Sequence, residues 1–587
     1  MPNAVKKKVI RKKRASKKKA KNKLSAAERR QRQEQRLFKI KINTVFKNAG
    51  FAQVPTRDKE FEFLGKTGEI DALFVYENIL ILSEDTCANE RQLPDHFRKK
   101  SDFYEFLSEN EEEFISFLQN LFPEFADKCG KYEASDFHLT YLYCARHHMD
   151  HEKYEEHPHV KFMSYTSLRY FEGLTKTIHK SAKYEIFKFL DLKLADIGFH
   201  AAAEPHKKYS AFVLPEKPSG FPSNYKIITF YVDPKSLIEL SYVLRKDSWL
   251  DSEGLYQRML IKSKIKNMRE YLVNQDHVYI NNIIVSLPHN VTFADKEGNA
   301  IKATEIKKTS HLQILLPKEF NLVGLIDGQH RVYSYHEGED KYEPSIEIKR
   351  QKQQLLVTGV IFPKNIDPSE KIKKEAEIFL EINDKQSRAK GDLKQAIQTI
   401  VDPYNSIAIA KSVVSRLAKT GPLSGLLEDH YFGEGKIKTT SIVSYALQHI
   451  VTLDEDKVEE SLYKIWEDKN PQYPEVDNEV TRNEYVKFCV KEINLFIGAF
   501  KRWLSDELWT TDRKISKALT TTTINGLIFC LKKLIAEGKT GDFDHYYAQL
   551  DGQLKINFKA TKNFPYKSSH WRALGDKVYD DCFNYDE

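Results

Sequence analysis

An apolar run, NLVGLI at 321–326, stops at Asp327 and is followed at once by Gly328-Gln329-His330-Arg331. The run reads as a strand, and the residues after it as the opening of a helix, Val332 to His336. Glycine in the turn permits a positive φ or a close approach of backbone to ligand. A helix N-terminus presents free N–H groups and a partial positive charge. Arg331 adds a planar fork donor and His330 a cation or acid, which together make a compact phosphate cradle. Asp327 is the best single candidate here for coordinating Mg2+ or orienting a water. The same residues also fit an ordinary strand-to-helix turn capped by Asp327, with its His and Arg on the surface.

A second cluster is acidic: Gly68-Glu69-Ile70-Asp71, then Ser83-Glu84-Asp85-Thr86. Ile70, Leu73 and Val75, followed by Ile79 to Leu82, read as a β-hairpin turning at Glu77-Asn78. Such a hairpin lets Asp71 and Glu84 converge, and two carboxylates at adjacent strand ends are what a Mg2+ site needs. A third cluster, Cys144 with His147, His148, His151, His157 and His159, offers metal-ligating types. It has no partner cysteines nearby and lies among charged residues, so a solvated His-rich loop is expected. Tyr170, Phe171 and Tyr184 fall at helical spacing, where core packing is expected rather than base stacking.

The elements around these clusters alternate. A helical pattern runs from about Ser25 to Phe51, and a long helical stretch passes through ENEEEFISFLQNLF to the strand LTYLYCA (139–145). Then come the strand KIITFYV (226–232), the amphipathic helix RMLIKSKIKNMREYL (258–272), and the strands VYINNIIVSL (278–287) and LLVTGVIF (355–362). This alternation indicates α/β architecture. From about 404 onward the segments are amphipathic helices separated by Gly or Pro.

Charge is unevenly placed. Residues 1–32 hold 15 of the 92 Lys and Arg and one of the 84 acids, Glu28; the rest of the chain carries 77 bases against 83 acids, net −6. The leader's like charges should keep it disordered at least to Leu24. Such a polycation binds phosphate backbones by releasing counterions, without reading sequence; a solubilising tail or a nuclear-localisation signal is the alternative. No run approaches the roughly 18 apolar residues of a membrane span, so no membrane is expected as a partner. The six scattered cysteines, with no CxxC pair, suit a reducing cytoplasm. There is no Walker-type phosphate loop and no GxSxG.

IDGQHR resembles the signature of DGQHR-domain proteins, which include the DndB family of bacterial DNA phosphorothioation systems and related components of DNA-modification and defence islands. Tyr256-Gln257-Arg258 leading into IKSKIKNMREYL resembles the opening of ParB-like folds. Phe379-Leu380-Glu381-Ile382-Asn383-Asp384-Lys385-Gln386-Ser387-Arg388 is similar to a further segment of the same family. The three stand in the family's order over residues 220–400. The resemblance implies a ParB/sulfiredoxin-like α+β domain in which Asp327, Gly328, Gln329, His330 and Arg331 line a nucleotide site, with Arg258, Asn383 and Gln386 flanking it. It further implies ATP as nucleotide with Mg2+, hydrolysis of that ATP, DNA binding, and partner proteins of a DNA-modification or phage-defence island. A non-enzymatic DNA-binding regulator of such an operon is the alternative.

The Asp71/Glu84 cluster resembles the core of PD-(D/E)xK nucleases. That core places a lysine where this chain has Thr86, and the preceding helix lacks a completing acid. The expectation is therefore a nuclease-like domain without cleavage over an active Mg2+-dependent nuclease, with an unrelated hairpin also fitting. The expected organisation is an α/β multidomain chain: a disordered basic tail (1–36), a restriction-endonuclease-like α/β domain (37–195), a DGQHR domain (196–403) and a helical C-terminal region (404–587).

Overall fold

The computed structural model describes residues 25–56, 60–149, 151–198, 206–245, 249, 257–275, 277–386, 391–428, 436–454, 456–466, 479–561, 564–567 and 569–584. The architecture is mixed α/β, with sheets in the first two-thirds and helices beyond.

The first helix, α1 (Ala26–Asn48), starts at a capping box in which the Ser25 hydroxyl accepts from the Glu28 amide and Glu28 accepts from the Ser25 amide. Residues 26–36, assigned by sequence to the tail, are therefore helical, and Glu34 pairs with Arg146 at 3.2 Å. Residues 1–24 lie outside the described residues.

A five-stranded sheet comes after α1, built from β1 (Ala52–Val54), β2 (Ala72–Tyr76), β3 (Ile79–Thr86), β4 (His138–Ala145) and β5 (Val160–Met163), in that spatial order. The β2–β3 pair is the expected antiparallel hairpin, with Glu77 at φ +50°, whereas β3, β4 and β5 run parallel. Between β3 and β4 the expected single helical stretch is broken at Asn110 into α2 (Leu93–Glu109) and α3 (Glu111–Leu121), and a short helix, Pro123–Cys129, comes after them. α4 (Tyr165–Ile178) and α5 (Lys183–Phe189) come after β5. β3 is apolar on both faces because both are covered. Ile79 and Ile81 share a core with α1 and α4, while Leu80 and Leu82 pack with α2 and α3.

A nine-stranded mixed sheet comes next. Its strands are β6 (His206–Leu214), β7 (Lys226–Val232), β8 (Ser241–Tyr242), β9 (Ile283–Leu287), β10 (Thr292–Ala294), β11 (Ala300–Ile301), β12 (Ser310–Pro317), β13 (Val323–Asp327) and β14 (Leu355–Ile361). Their spatial order is β8-β13-β9-β14-β7-β6-β12-β10-β11. Among them lie α6 (Lys262–Gln275), α7 (Gln329–Tyr333) and α8 (Glu343–Lys352), and α9 (Pro368–Gln386) comes after β14. One apolar core runs from α1, α4 and α5 into β6, β7, β9, β13 and β14, so it crosses the 195/196 boundary drawn from sequence. The helices beyond residue 404 close a separate core of their own.

Candidate functional site

β13 is buried up to Ile326 and emerges at Asp327. Gly328 takes φ +98°, a conformation L side chains rarely adopt, and a Cβ there would lie 2.7 Å from Ile283 Cδ1 and 3.1 Å from Arg331 Nη2. The guanidinium thus lies against a face that only glycine leaves open. The helix opens at Gln329, as expected, because the Gly328 carbonyl accepts from the amides of Arg331 and Val332, but it ends at Tyr333 rather than at His336.

Each polar group of the turn is held differently. Arg331 Nη2 donates to Asp327 Oδ2 at 2.7 Å, whereas Arg331 Nε is buried with no partner among the described residues. Gln329 is gripped from two sides: its carbonyl oxygen accepts from Arg245 Nε at 3.3 Å, and its amide donates to the Arg258 carbonyl at 3.2 Å. Arg245 is wholly buried. Its Nη1 donates to Glu185 Oε2 at 2.7 Å and to the Tyr170 hydroxyl at 3.1 Å, and its Nη2 also has no partner among the described residues. His330 Nε2 accepts from the Ile261 amide at 3.2 Å, which leaves the ring proton on Nδ1. Burial, then the cations Lys264, Arg245 and Arg331, push the imidazole down to about 4. The expected cation or acid is therefore a neutral ring at neutral pH.

The segments singled out by sequence meet here. Gln257 donates to the Leu325 carbonyl, Arg258 touches Gln329, and α9 packs through Ala376 and Phe379 on Ile326. Asn383 and Gln386 lie in the last turns of α9, but their side chains, together with Tyr256, Ser387 and Arg388, lie outside the described residues. Behind the turn, wholly buried Arg269 of α6 binds Asp340 through two nitrogens at 2.9 and 3.1 Å and Glu343 at 2.7 Å, and also donates to the Ser334 and His336 carbonyls. This fixes the segment that leaves α7.

The acidic cluster forms a second constellation. Asp71 stands just before β2 and Glu84 within β3. The Asp85 amide donates to Asp71 Oδ2 at 2.9 Å, and Lys39 Nζ lies 3.8 Å from Asp71 Oδ1. Glu84, 5% exposed, accepts from Lys100 Nζ at 2.8 Å and has His96 Nε2 at 3.8 Å. Burial, then the Asp71 charge, push the Glu84 carboxyl up to about 8 against the pull of Lys100. Burial and the Lys100 charge hold His96 below its usual value. A lysine, Lys100 of α2, thus stands beside this pair of carboxylates. No group of three His, Cys, Asp or Glu that could hold a metal occurs among the described residues. In the His-rich region, half-buried His157 packs on Phe97, and half-buried His159 Nε2 meets the Ser101 carbonyl at 3.0 Å, so those two have packing partners within the fold. Tyr170 and Phe171 are core residues, as expected.

Sequence reasoning missed Arg245, Tyr170 and Glu185 as supports of the turn, and Lys100, His96 and Lys39 around the carboxylates. Arg245 ends the apolar run SYVLR, a weak signal for a buried cation. Lys100 was one basic residue among Arg98 and Lys99, and only the folded helix singles it out. No family model, curated protein or solved structure matches the chain. No helix among the described residues is long and apolar enough to cross a membrane.

Proposed function

We propose that the Asp327–Arg331 corner binds nucleotide phosphate, with ATP the nucleotide, in a DNA-associated component of a bacterial DNA-modification or phage-defence system. One observation supports this most. Two guanidinium N–H groups, on Arg331 and Arg245, are buried at the turn without partners among the described residues, and a buried unpaired donor is costly until an acceptor fills it. A phosphate supplies such acceptors in number. The neutral His330 ring contributes an Nδ1–H donor, and Gly328 lets the Arg331 guanidinium lie against the turn. Asp327 is the only carboxylate of the turn and is already paired with Arg331. Mg2+ would therefore arrive with the phosphates and take only one ligand from Asp327. On this reading the central region is a ParB/sulfiredoxin-like domain, and the five-stranded unit ahead of it is restriction-endonuclease-like.

The test is release of phosphate from ATP by the full chain and by Arg331→Ala and His330→Ala. Turnover that falls in both variants supports hydrolysis at this corner. DNA binding that weakens with salt, with no turnover and no ATP binding, would instead indicate a non-enzymatic DNA-binding regulator.

A specific observation favours a second reading, a Mg2+-dependent nuclease. Asp71 and Glu84 are close enough for one charge to raise the other's pKa, and Lys100 lies 2.8 Å from Glu84. Those are the residue types that hold a metal and stabilise developing charge in phosphodiester cleavage. Plasmid nicking under Mg2+ or Mn2+ that disappears in both Asp71→Ala and Lys100→Ala supports it; intact plasmid under both metals excludes it.

A further inference from the structure

The C-terminal helical region carries a groove of about 900 Å3 far in sequence from both constellations. Its floor is the start of α10 (Thr521–Ala536), capped by the Thr520 hydroxyl, which accepts from the Thr523 amide. Thr521 and Thr522, whose amides the cap does not use, line the groove. Lys438, Arg513, Lys517 and Lys567 surround it, and no Asp or Glu lines it among the described residues. Four cations around a helix N-terminus, with no acid to neutralise them, favour an anion.

A second observation concerns the depth of the groove. Asn525, one turn into α10, is 2% exposed and lines the groove, yet its Oδ1 has no partner among the described residues. A buried amide oxygen without a donor is rare in a folded chain. It fits a ligand that carries an N–H about one helical turn away from its anionic group. Aromatic side chains complete the wall. Tyr445 is 56% exposed and sits in a π-helical stretch, Val443–Leu447, a distortion frequent at functional sites. Tyr566 and Trp571 line the groove as well.

We infer that this groove binds an unpaired stretch of a nucleic-acid strand. Phosphates lie against the cations and the α10 N-terminus, a base stacks on the aromatic wall, and a base N–H donates to Asn525. The inference does not depend on the nucleotide reading of the Asp327–Arg331 corner.

The experiment uses the full chain and a fluorescein-labelled single-stranded twelve-nucleotide oligothymidylate. Anisotropy should show binding about tenfold weaker in Tyr445→Ala. Lys517→Ala combined with Lys567→Ala should weaken binding and make the salt dependence shallower by about 0.7 per lost phosphate contact. Ultraviolet crosslinks should map to Tyr445, Tyr566 or Trp571, a readout that the basic leader cannot mimic. Crosslinks confined to residues 1–24, or affinities unchanged in both variants, would overturn the inference. Displacement by an equal concentration of the twelve-base-pair duplex would remove the requirement for an unpaired strand. Displacement by thymidine monophosphate at the oligonucleotide's concentration would make the ligand a free nucleotide and not a strand.

Discussion

Glu84 shows how far a side chain's chemistry can depart from its type. In sequence it is one acid of an acidic pair; folded, it is a buried carboxyl whose pKa is raised to about 8. The folded state therefore holds a proton that the unfolded state gives up near 4.5, so this group's contribution to stability declines as pH rises from about 4.5 to about 8. Glu84→Gln should flatten that decline and melt higher than wild type at about pH 8.5, with little difference at about pH 4.5; equal melting curves at both pH values would contradict the assignment. His330 runs the other way. Its pKa falls to about 4, so stability from its neutral form is complete above about 6.5 and is lost as pH drops toward 4. Sequence could identify His330 and Arg331 as candidates, because residue type and the strand-ending glycine are local. It could not identify the neutral ring, because Lys264 and Arg245 reach it only through the fold. Gly328 was legible for a physical reason: at φ +98° with Ile283 beside it, another side chain is strained. Gly328→Ala should cost about 1–3 kcal/mol in urea unfolding and weaken nucleotide binding at the same time.

Elements were legible where their hydrophobic period was undisturbed, as in the β2–β3 hairpin and β14. They were misjudged where neighbouring segments claimed their ends. The helix expected from Arg258 begins at Lys262, because Gln257 is drawn into hydrogen bonds with Leu244 and Leu325. The strand expected from Val278 begins at Ile283, because Tyr279 stacks on Tyr271 and donates to the Met268 carbonyl of α6. Both shifts use residues to dock α6 behind the candidate site. Arg269 completes that docking. Arg269→Met would leave Asp340 without its buried partner and Glu343 with Arg350 in place of two arginines, and should cost about 1–3 kcal/mol of stability, read by urea unfolding. A loss below about 1 kcal/mol would mean that the network does not hold the segment leaving α7.

At the scale of the molecule, composition separated a basic leader from an acidic body, and that division came from charge counts alone. It could not show that α1, α4 and α5 share one core with the nine-stranded sheet, because contacts such as Arg245 to Tyr170 and Glu185 join residues 60 or more positions apart. Support for the DGQHR turn thus comes from a segment that sequence assigned to another domain. Removing residues 1–24, which carry 12 Lys and Arg, should lower DNA affinity and the steepness of its salt dependence while leaving the melting temperature unchanged. An unchanged salt slope would show that the leader does not contact the phosphate backbone.

The most direct test is calorimetric titration of ATP, with Mg2+, into the full chain and into Arg331→Ala. If the two guanidinium N–H groups at the Asp327–Arg331 turn that have no partner among the described residues, Arg331 Nε and Arg245 Nη2, receive the phosphates, the variant should bind about 10- to 100-fold more weakly while melting near the wild-type temperature. Equal affinity in the two proteins, or no binding to either, would contradict the account.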